Sequence, residues 1–265
     1  MATRLSEDRD LRILVVEAGG SDNRFWLRLP VGYFKSIYNP DISHLYKGAP
    51  DAGIAGREMD IPRGRVVGGS SSINGLIFIR GQSQDFDDWE ALGATGWGYR
   101  DVLPHFRKVE TYSGQLNQFR GGTGPLGVSD LRNENPLCEA WLQAARETGL
   151  PDNSDFNAES TYGIGRYQLT LKGRWRDSAA TAYLHPALAR RNLTLTSQAT
   201  VLGIEFESNR AVGVRYRKDG QTEVVRAERE VILAAGAIQS PQLLQLSGIG
   251  PAEDLTRLGL PVRFD

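Results

Sequence analysis

The sequence predicts an α/β protein that carries an antiparallel β-meander. Three observations point there. Arg12 to Glu17 and Glu230 to Ala235 are short, nearly continuous apolar runs, the pattern of strands buried on both faces of a parallel sheet. Segments between them place apolar residues at helical spacing. From Leu193 onward the period changes to two, as antiparallel strands require.

The elements follow in order. The first run, RILVVE, is closed by Gly19-Gly20. Helical spacing recurs from Asp85 to Leu92 and from Tyr99 to Glu110, where Pro104 limits or kinks the second segment. LCEAWLQAARETGL has a marked beginning and end: Asn135 can cap it, Pro136 fits the first turn and Gly149 stops it. Ser178 to Arg190 is helix-like with an interruption at Pro186. LTLTS, ATVLGIEFE, AVGVRYR and TEVVRA, separated by turn signals, read as the meander. After the second buried run, Ser240-Pro241 reads as a helix start and the glycines of SGIG as its stop.

Composition narrows the function. The 265 residues, 40% hydrophobic, suffice for a core. With 31 Lys plus Arg against 32 Asp plus Glu, the net charge of -1 gives no pull towards nucleic acid. No run reaches the roughly 20 apolar residues that span a bilayer, so no transmembrane segment is expected and the default location is cytoplasmic. Peripheral attachment of the full-length protein to the inner membrane is the alternative. The single Cys138 excludes an internal disulfide and a Cys-rich zinc site.

Glu17 ends the first strand. In a dinucleotide-binding unit an acid there holds the ribose hydroxyls, roughly 20 residues after a glycine loop that cradles phosphate. With 16 residues before Glu17, that loop is expected at or before Met1. A solvated strand end is the alternative. The literal G-x-G-x-x-G at Gly122, Gly124 and Gly127 follows no buried strand and contains Pro125, so it reads as an ordinary loop. Gly64 to Gly75, GRVVGGSSSING, is richer: paired glycines admit close backbone approach, three serine hydroxyls add donors and Asn74 adds an amide. Its plain alternative is a flexible Gly/Ser loop.

GRVVGGSSSINGLIFIRGQSQDFD and GAIQSPQLLQLSGIG, residues 236–250, resemble the two signature motifs of the glucose-methanol-choline (GMC) oxidoreductases, and TRLSEDRDLRILVVEAGG resembles that family's first helix end and second strand. The resemblance implies a Rossmann-like FAD-binding fold. It places Glu17 at the adenosine ribose, Val67, Gly69 and Ser70 at the diphosphate and flavin, and Asn74, Gly75 and Ile77 along the flavin ring. Val201 would pair with adenine through its backbone, and Ala235 and Gly236 would pass beside the same moiety. Some members tether FAD through a histidine where this chain has Ile73, so the resemblance implies non-covalent FAD.

The implied domains are 1–110, a first part of the FAD-binding domain; 111–197, part of a substrate-binding region; and 198–265, the second FAD-binding part. The implied reaction oxidises a primary alcohol, choline-like or aliphatic, to an aldehyde with hydride passing to flavin. Oxygen, a quinone or another carrier would be the electron acceptor. The family's catalytic histidine lies towards its C-terminus, beyond the segment that resembles Asp265, so the chain reads as a fragment without that base. A short, non-catalytic flavin-binding or interaction protein is the competing reading. His44, His105 and His185 match no catalytic position and read as structural or surface residues, and no pair has helical metal-ligand spacing.

Overall fold

The computed structural model describes residues 1–131 and 135–265. Strands β1 (Ile13–Val16), β2 (Ser43–Lys47), β3 (Asp60–Gly64) and β4 (Ile77–Phe78) come first, followed by helices α1 (Ser83–Ala91) and α2 (Tyr99–Val109). Strands β5 (Glu110–Tyr112) and β6 (Leu126–Val128) lead to helix α3 (Pro136–Glu147). Then come β7 (Gln168–Leu169), β8 (Leu171–Lys172), β9 (Trp175–Arg176), β10 (Leu193–Thr196), β11 (Thr200–Glu207), β12 (Arg210–Lys218) and β13 (Gln221–Arg226), and helix α4 (Gly236–Leu246).

The α/β expectation holds, and the strand partners refine it. β1 runs parallel to β10, Ile13 opposite Leu193 and Val16 opposite Thr196. LTLTS therefore belongs to the parallel pair and not to the meander. Its alternation cannot distinguish the two, because period two describes any half-buried strand. The meander is the three-stranded β11-β12-β13, antiparallel throughout. β1 is half-buried, with Leu14 39% exposed, where burial on both faces was expected. Among the described residues its sheet has no strand beyond β10, and a strand with one neighbour cannot be covered on all sides.

The second apolar run is the larger departure. Residues 230–235 form no strand, and Ile232 is 44% exposed. An apolar run becomes a buried strand only when neighbours take its N–H and C=O groups, and no described strand does so.

Helices α1, α2 and α3 lie where their patterns place them. Asn135 caps α3 by accepting from the Leu137 N–H at 2.9 Å, and Gly149 follows it at φ +89°. Pro104 sits inside α2 without ending it. Helix α4 begins at Gly236 and not at Ser240-Pro241, with Pro241 in its interior. The carbonyl this proline leaves unpaired belongs to Ala237, an exposed residue, so water can serve it. The interruption at Pro186 is a change of helix type: a π-helical turn, Ala180–Leu184, passes into an α turn, His185–Ala187, with the proline in its first turn.

The G-x-G-x-x-G stretch is a packing device. A Cβ on Gly124 would stand 2.3 Å from the Val109 carbonyl carbon and 2.4 Å from the Glu110 nitrogen, so glycine there lets the loop pass against the α2–β5 junction. The buried cluster Leu27, Ile42, Val66 and Ile73 lies directly under the other glycine-rich stretch.

Candidate functional site

The site begins at the C-terminal end of β1. The Glu17 N–H donates to Thr196 O, the Ala199 N–H to Glu17 O and the Gln198 N–H to Gly19 O, each at 2.9 Å. These bonds join the strand end to the turn that leads into β11, where Val201 lies opposite Tyr216. The Glu17 carboxylate accepts the Gly19 N–H at 2.7 Å. Burial pushes this carboxyl above the ordinary value of 4.5, against the Gly19 N–H and the Arg65 charge, which both pull it down.

Residues 65–67 cross directly over this end. Gly20 and Val66 form a parallel bridge, and the Val67 N–H donates to Gly20 O at 3.0 Å. A Cβ on Gly19 would lie 2.1 Å from the Arg65 carbonyl carbon and 2.2 Å from the Val66 nitrogen. The two backbones therefore touch because residue 19 has no side chain. Val67 is 3% exposed, and its N–H and carbonyl both have partners within the fold, Gly20 O and Ser72 Oγ.

Beyond Val67 the chain turns through Gly68 (φ +90°) and Gly69 (φ +57°) into a 3-10 turn, Gly69–Ser72. A Cβ on Gly68 would meet Ser72 Oγ at 2.4 Å, whereas Gly69 and Gly75 have nothing within 4 Å of that position. The serines divide in the same way. Ser72 Oγ donates to Val67 O at 2.9 Å and Ser71 Oγ to Gly68 O at 2.6 Å, so both hydroxyls brace the loop. The expectation of three outward donors is corrected to one: Ser70 is exposed, and its Oγ accepts from the Gly64 N–H at 3.0 Å, leaving its own proton to donate.

Asn74, Gly75 and Ile77 complete the outward face, with Ile77 52% exposed although it pairs with Leu169. Leu76 between them is buried and holds φ +65°, a region a leucine occupies at a cost of order 1–3 kcal/mol. Its N–H donates to Asn74 Oδ1 at 3.1 Å and its carbonyl accepts the Thr170 N–H at 2.9 Å, which hold it there. Ile73 points the other way, into the core.

Ala235 and Gly236 stand exposed at the start of α4, and Gln239, one turn on, reaches β2, whose partner strand β3 runs into the 64–75 loop. Its Nε2 donates to His44 Nε2 at 3.0 Å, and His44 lies opposite Arg63, just before Gly64. Accepting that bond requires a neutral imidazole, and burial together with the Arg65 charge holds His44 below its ordinary value. At the other end of α4 the Ile204 N–H donates to Ser247 Oγ at 2.9 Å. The helix thus lies along β11, the strand that follows the Ala199 bond to Glu17.

Four residues of this arrangement carried no site assignment in the sequence: Arg65, His44, Gln239 and Arg176. Arg176 donates to the Asn74 carbonyl and side chain. Charged and polar residues in ordinary positions read as surface, and no local pattern marks the ones that fold inward.

The family model of the GMC oxidoreductases matches residues 14–262. The chain belongs to the GMC oxidoreductase family. Among relatives of this GMC chain, the mitochondrial choline dehydrogenase of Mus musculus is 44% identical over 269 residues, covering 99% of this chain and 45% of that protein. The oxygen-dependent choline dehydrogenase of Rhizobium etli is 42% identical, covering 100% of this chain and 48% of the relative. The crystal structure of pyridoxine 4-oxidase from Mesorbium loti superposes with a TM-score of 0.94 at 31% identity, over 100% of this chain and 52% of that one. An FAD-dependent oxidoreductase from Chaetomium thermophilum does so with a TM-score of 0.90 at 33% identity, over 98% and 47%. The GMC chain thus spans about half the length of the curated relatives it matches. Among its described residues no helix is long and apolar enough to cross a membrane, and no group of three or more His, Cys, Asp or Glu could hold a metal.

Proposed function

We propose that this chain holds FAD without a covalent bond and forms the cofactor-binding part of an enzyme that oxidises a primary alcohol, choline-like or aliphatic, to an aldehyde. One observation carries the reading: the acid ending β1 and the bare face of the 64–75 loop meet across a backbone contact that Gly19 alone permits. In this reading Glu17 receives the adenosine ribose, and Val67, Gly69 and Ser70 approach the diphosphate and flavin. Asn74, Gly75 and Ile77 line the ring, while Val201, Ala235 and Gly236 lie along the adenine side.

The residues fit that occupant. Gly69 and Gly75 leave room for backbone amides to approach a ligand, Ser70 keeps a free proton, and exposed Ile77 offers an apolar surface to a flat ring. Ile73 has no nucleophilic nitrogen and packs in the core, which supports a non-covalent site. When bound, FAD supplies the hydride acceptor; the protein's own part is to grip the nucleotide and keep the ring side dry. We propose 1–110 and 198–265 as the two parts of the FAD-binding domain and 111–197 as the beginning of the substrate region.

Glu17 makes the reading testable without turnover. A carboxyl whose folded value is raised contributes stability that is fully present below its unfolded value and is lost as pH rises through the folded one. In flavin-free protein Glu17→Gln should therefore raise the thermal midpoint at neutral pH and flatten its decline above pH 4.5. The same substitution should weaken FAD about tenfold or more, the loss of a charge-assisted hydrogen bond. An unchanged FAD affinity contradicts the ribose role.

The activity is tested by the absorbance spectrum of the full-length protein, mixed without oxygen with choline and with linear primary alcohols. Bleaching of the visible flavin bands by at least one of them is expected. Flavin that stays oxidised under every alcohol contradicts the proposed reaction.

A further inference from the structure

Arg176 stands out among the charged residues. It is 5% exposed, and among the described residues no carboxylate pairs with it. Its donors go to neutral oxygens: Nε to Leu27 O at 3.0 Å, Nη1 to Asn74 Oδ1 at 2.7 Å and Ser71 O at 3.2 Å, and Nη2 to Asn74 O at 2.7 Å. Burial brings its pKa down to about 10, so it stays charged at neutral pH. A buried cation without a counter-ion is costly, and general packing would be served better by an apolar side chain. It lies on β9, at the end of a short hairpin that turns through Gly173 at φ +67°.

The consequence lies at Asn74. Its Oδ1 receives two donors, the Arg176 Nη1 and the Leu76 N–H, which settles which way the amide faces. Reversed, it would set its N–H groups against the guanidinium, donor against donor. The oxygen is therefore turned inward and the NH2 outward, on an exposed residue of the loop's bare face.

We infer that Arg176 is a positioning residue for the flavin: it orients the Asn74 amide so that the loop presents an N–H donor to an acceptor on the ring. The inference rests on the reading of residues 64–75 as the flavin loop. It also assigns a function to the hairpin of β8 and β9, which carries the guanidinium from residue 176 to the loop and to Leu27. Lysine has one donor group in place of the planar fork and cannot serve these four oxygens together.

The test uses protein purified with its flavin. Arg176→Lys should raise the FAD dissociation constant about tenfold or more and shift the visible flavin bands, with the far-ultraviolet circular dichroism unchanged. Asn74→Asp leaves an oxygen for Arg176 but replaces the outward donor with an acceptor. It should weaken FAD to a similar degree with no fall in the thermal midpoint of the flavin-free protein. Combining Arg176→Lys with Asn74→Ala should cost no more affinity than Asn74→Ala alone, because both act through one amide. Colourless wild-type protein overturns the flavin reading itself. A yellow wild type whose affinity and bands survive Arg176→Lys, or survive Asn74→Asp, overturns the positioning role and leaves the flavin reading standing. If Arg176→Lys yields no folded protein, Asn74→Asp decides alone, since residue 74 is exposed.

Discussion

Gly19→Ala should abolish FAD binding and destabilise the protein by about 3 kcal/mol, the upper range for overpacking a rigid contact. The methyl group would fall 2.1 Å from both the carbon and the oxygen of the Arg65 carbonyl and 2.2 Å from the Val66 nitrogen. These are backbone atoms held by the Gly20–Val66 bridge and the Val67 N–H bond to Gly20 O, so no side chain can swing aside. Relief would come from separating the end of β1 from the loop, which parts Glu17 from Gly69 and Ser70. Chemical denaturation and flavin titration of the same variant check the two effects together. Gly69→Ala is the contrast: its Cβ meets nothing within 4 Å, so any loss there reflects φ +57° or a ligand and not a clash. A Gly19→Ala protein with wild-type stability and affinity would show that the two segments do not touch.

Glu110→Ala should cost about 3–5 kcal/mol, the range for leaving buried charge without its partner. Glu110 is fully buried, and its Oε1 accepts from Arg80 Nη2 at 2.8 Å and from the Gly121 N–H at 2.9 Å. Arg120 Nε lies 3.1 Å from the same oxygen, an ion pair without hydrogen-bond geometry, and Arg120 is 1% exposed. Asp155 pairs with Arg120 Nη1 at 3.1 Å, and the guanidinium stacks 3.8 Å from the Tyr112 ring centre. Removal of Glu110 leaves two buried guanidiniums with one carboxylate. Arg80 follows Ile77, Phe78 and Ile79, so this cluster anchors the far end of the loop that carries Asn74. Glu110→Gln keeps an acceptor for Gly121 and should cost less than Glu110→Ala. The unfolding free energy in denaturant measures both, and a Glu110→Ala loss below about 1 kcal/mol would show that the cluster is hydrated and not buried.

The sequence made local structure legible where a pattern needs no distant partner. Helix α3 could be read from Asn135, Pro136 and Gly149, because capping and termination are chemistry within a few residues. The meander could be read from its alternation and turns. The run at 230–235 could not be assigned correctly, since whether an apolar run becomes a strand depends on neighbours at its edges. LTLT shows the same limit: its period predicts a strand and says nothing of its parallel partner β1.

The candidate site divides along the same line. Glycines that must exclude a side chain, Gly19 and Gly68, stand in motifs that announce themselves, and so does Asn74. The residues that hold the motifs in place do not. Arg176, Arg80, Glu110 and Arg120 lie far apart in sequence and look like surface charges, because burial of a charge is set by the partners the fold brings to it. Ser71 and Ser72 show the converse error, since hydroxyls that look free for a ligand are occupied by the loop's own carbonyls.

A crystal structure of the protein grown with FAD tests the central claim most directly. The account expects one FAD per chain, with ribose hydroxyls on the Glu17 carboxylate, diphosphate beside Gly69 and Ser70, and the ring against the Asn74 amide and Ile77. Density for FAD at any other place, or a Glu17 carboxylate still bonded to Gly19 alone with the ribose out of reach, would contradict it.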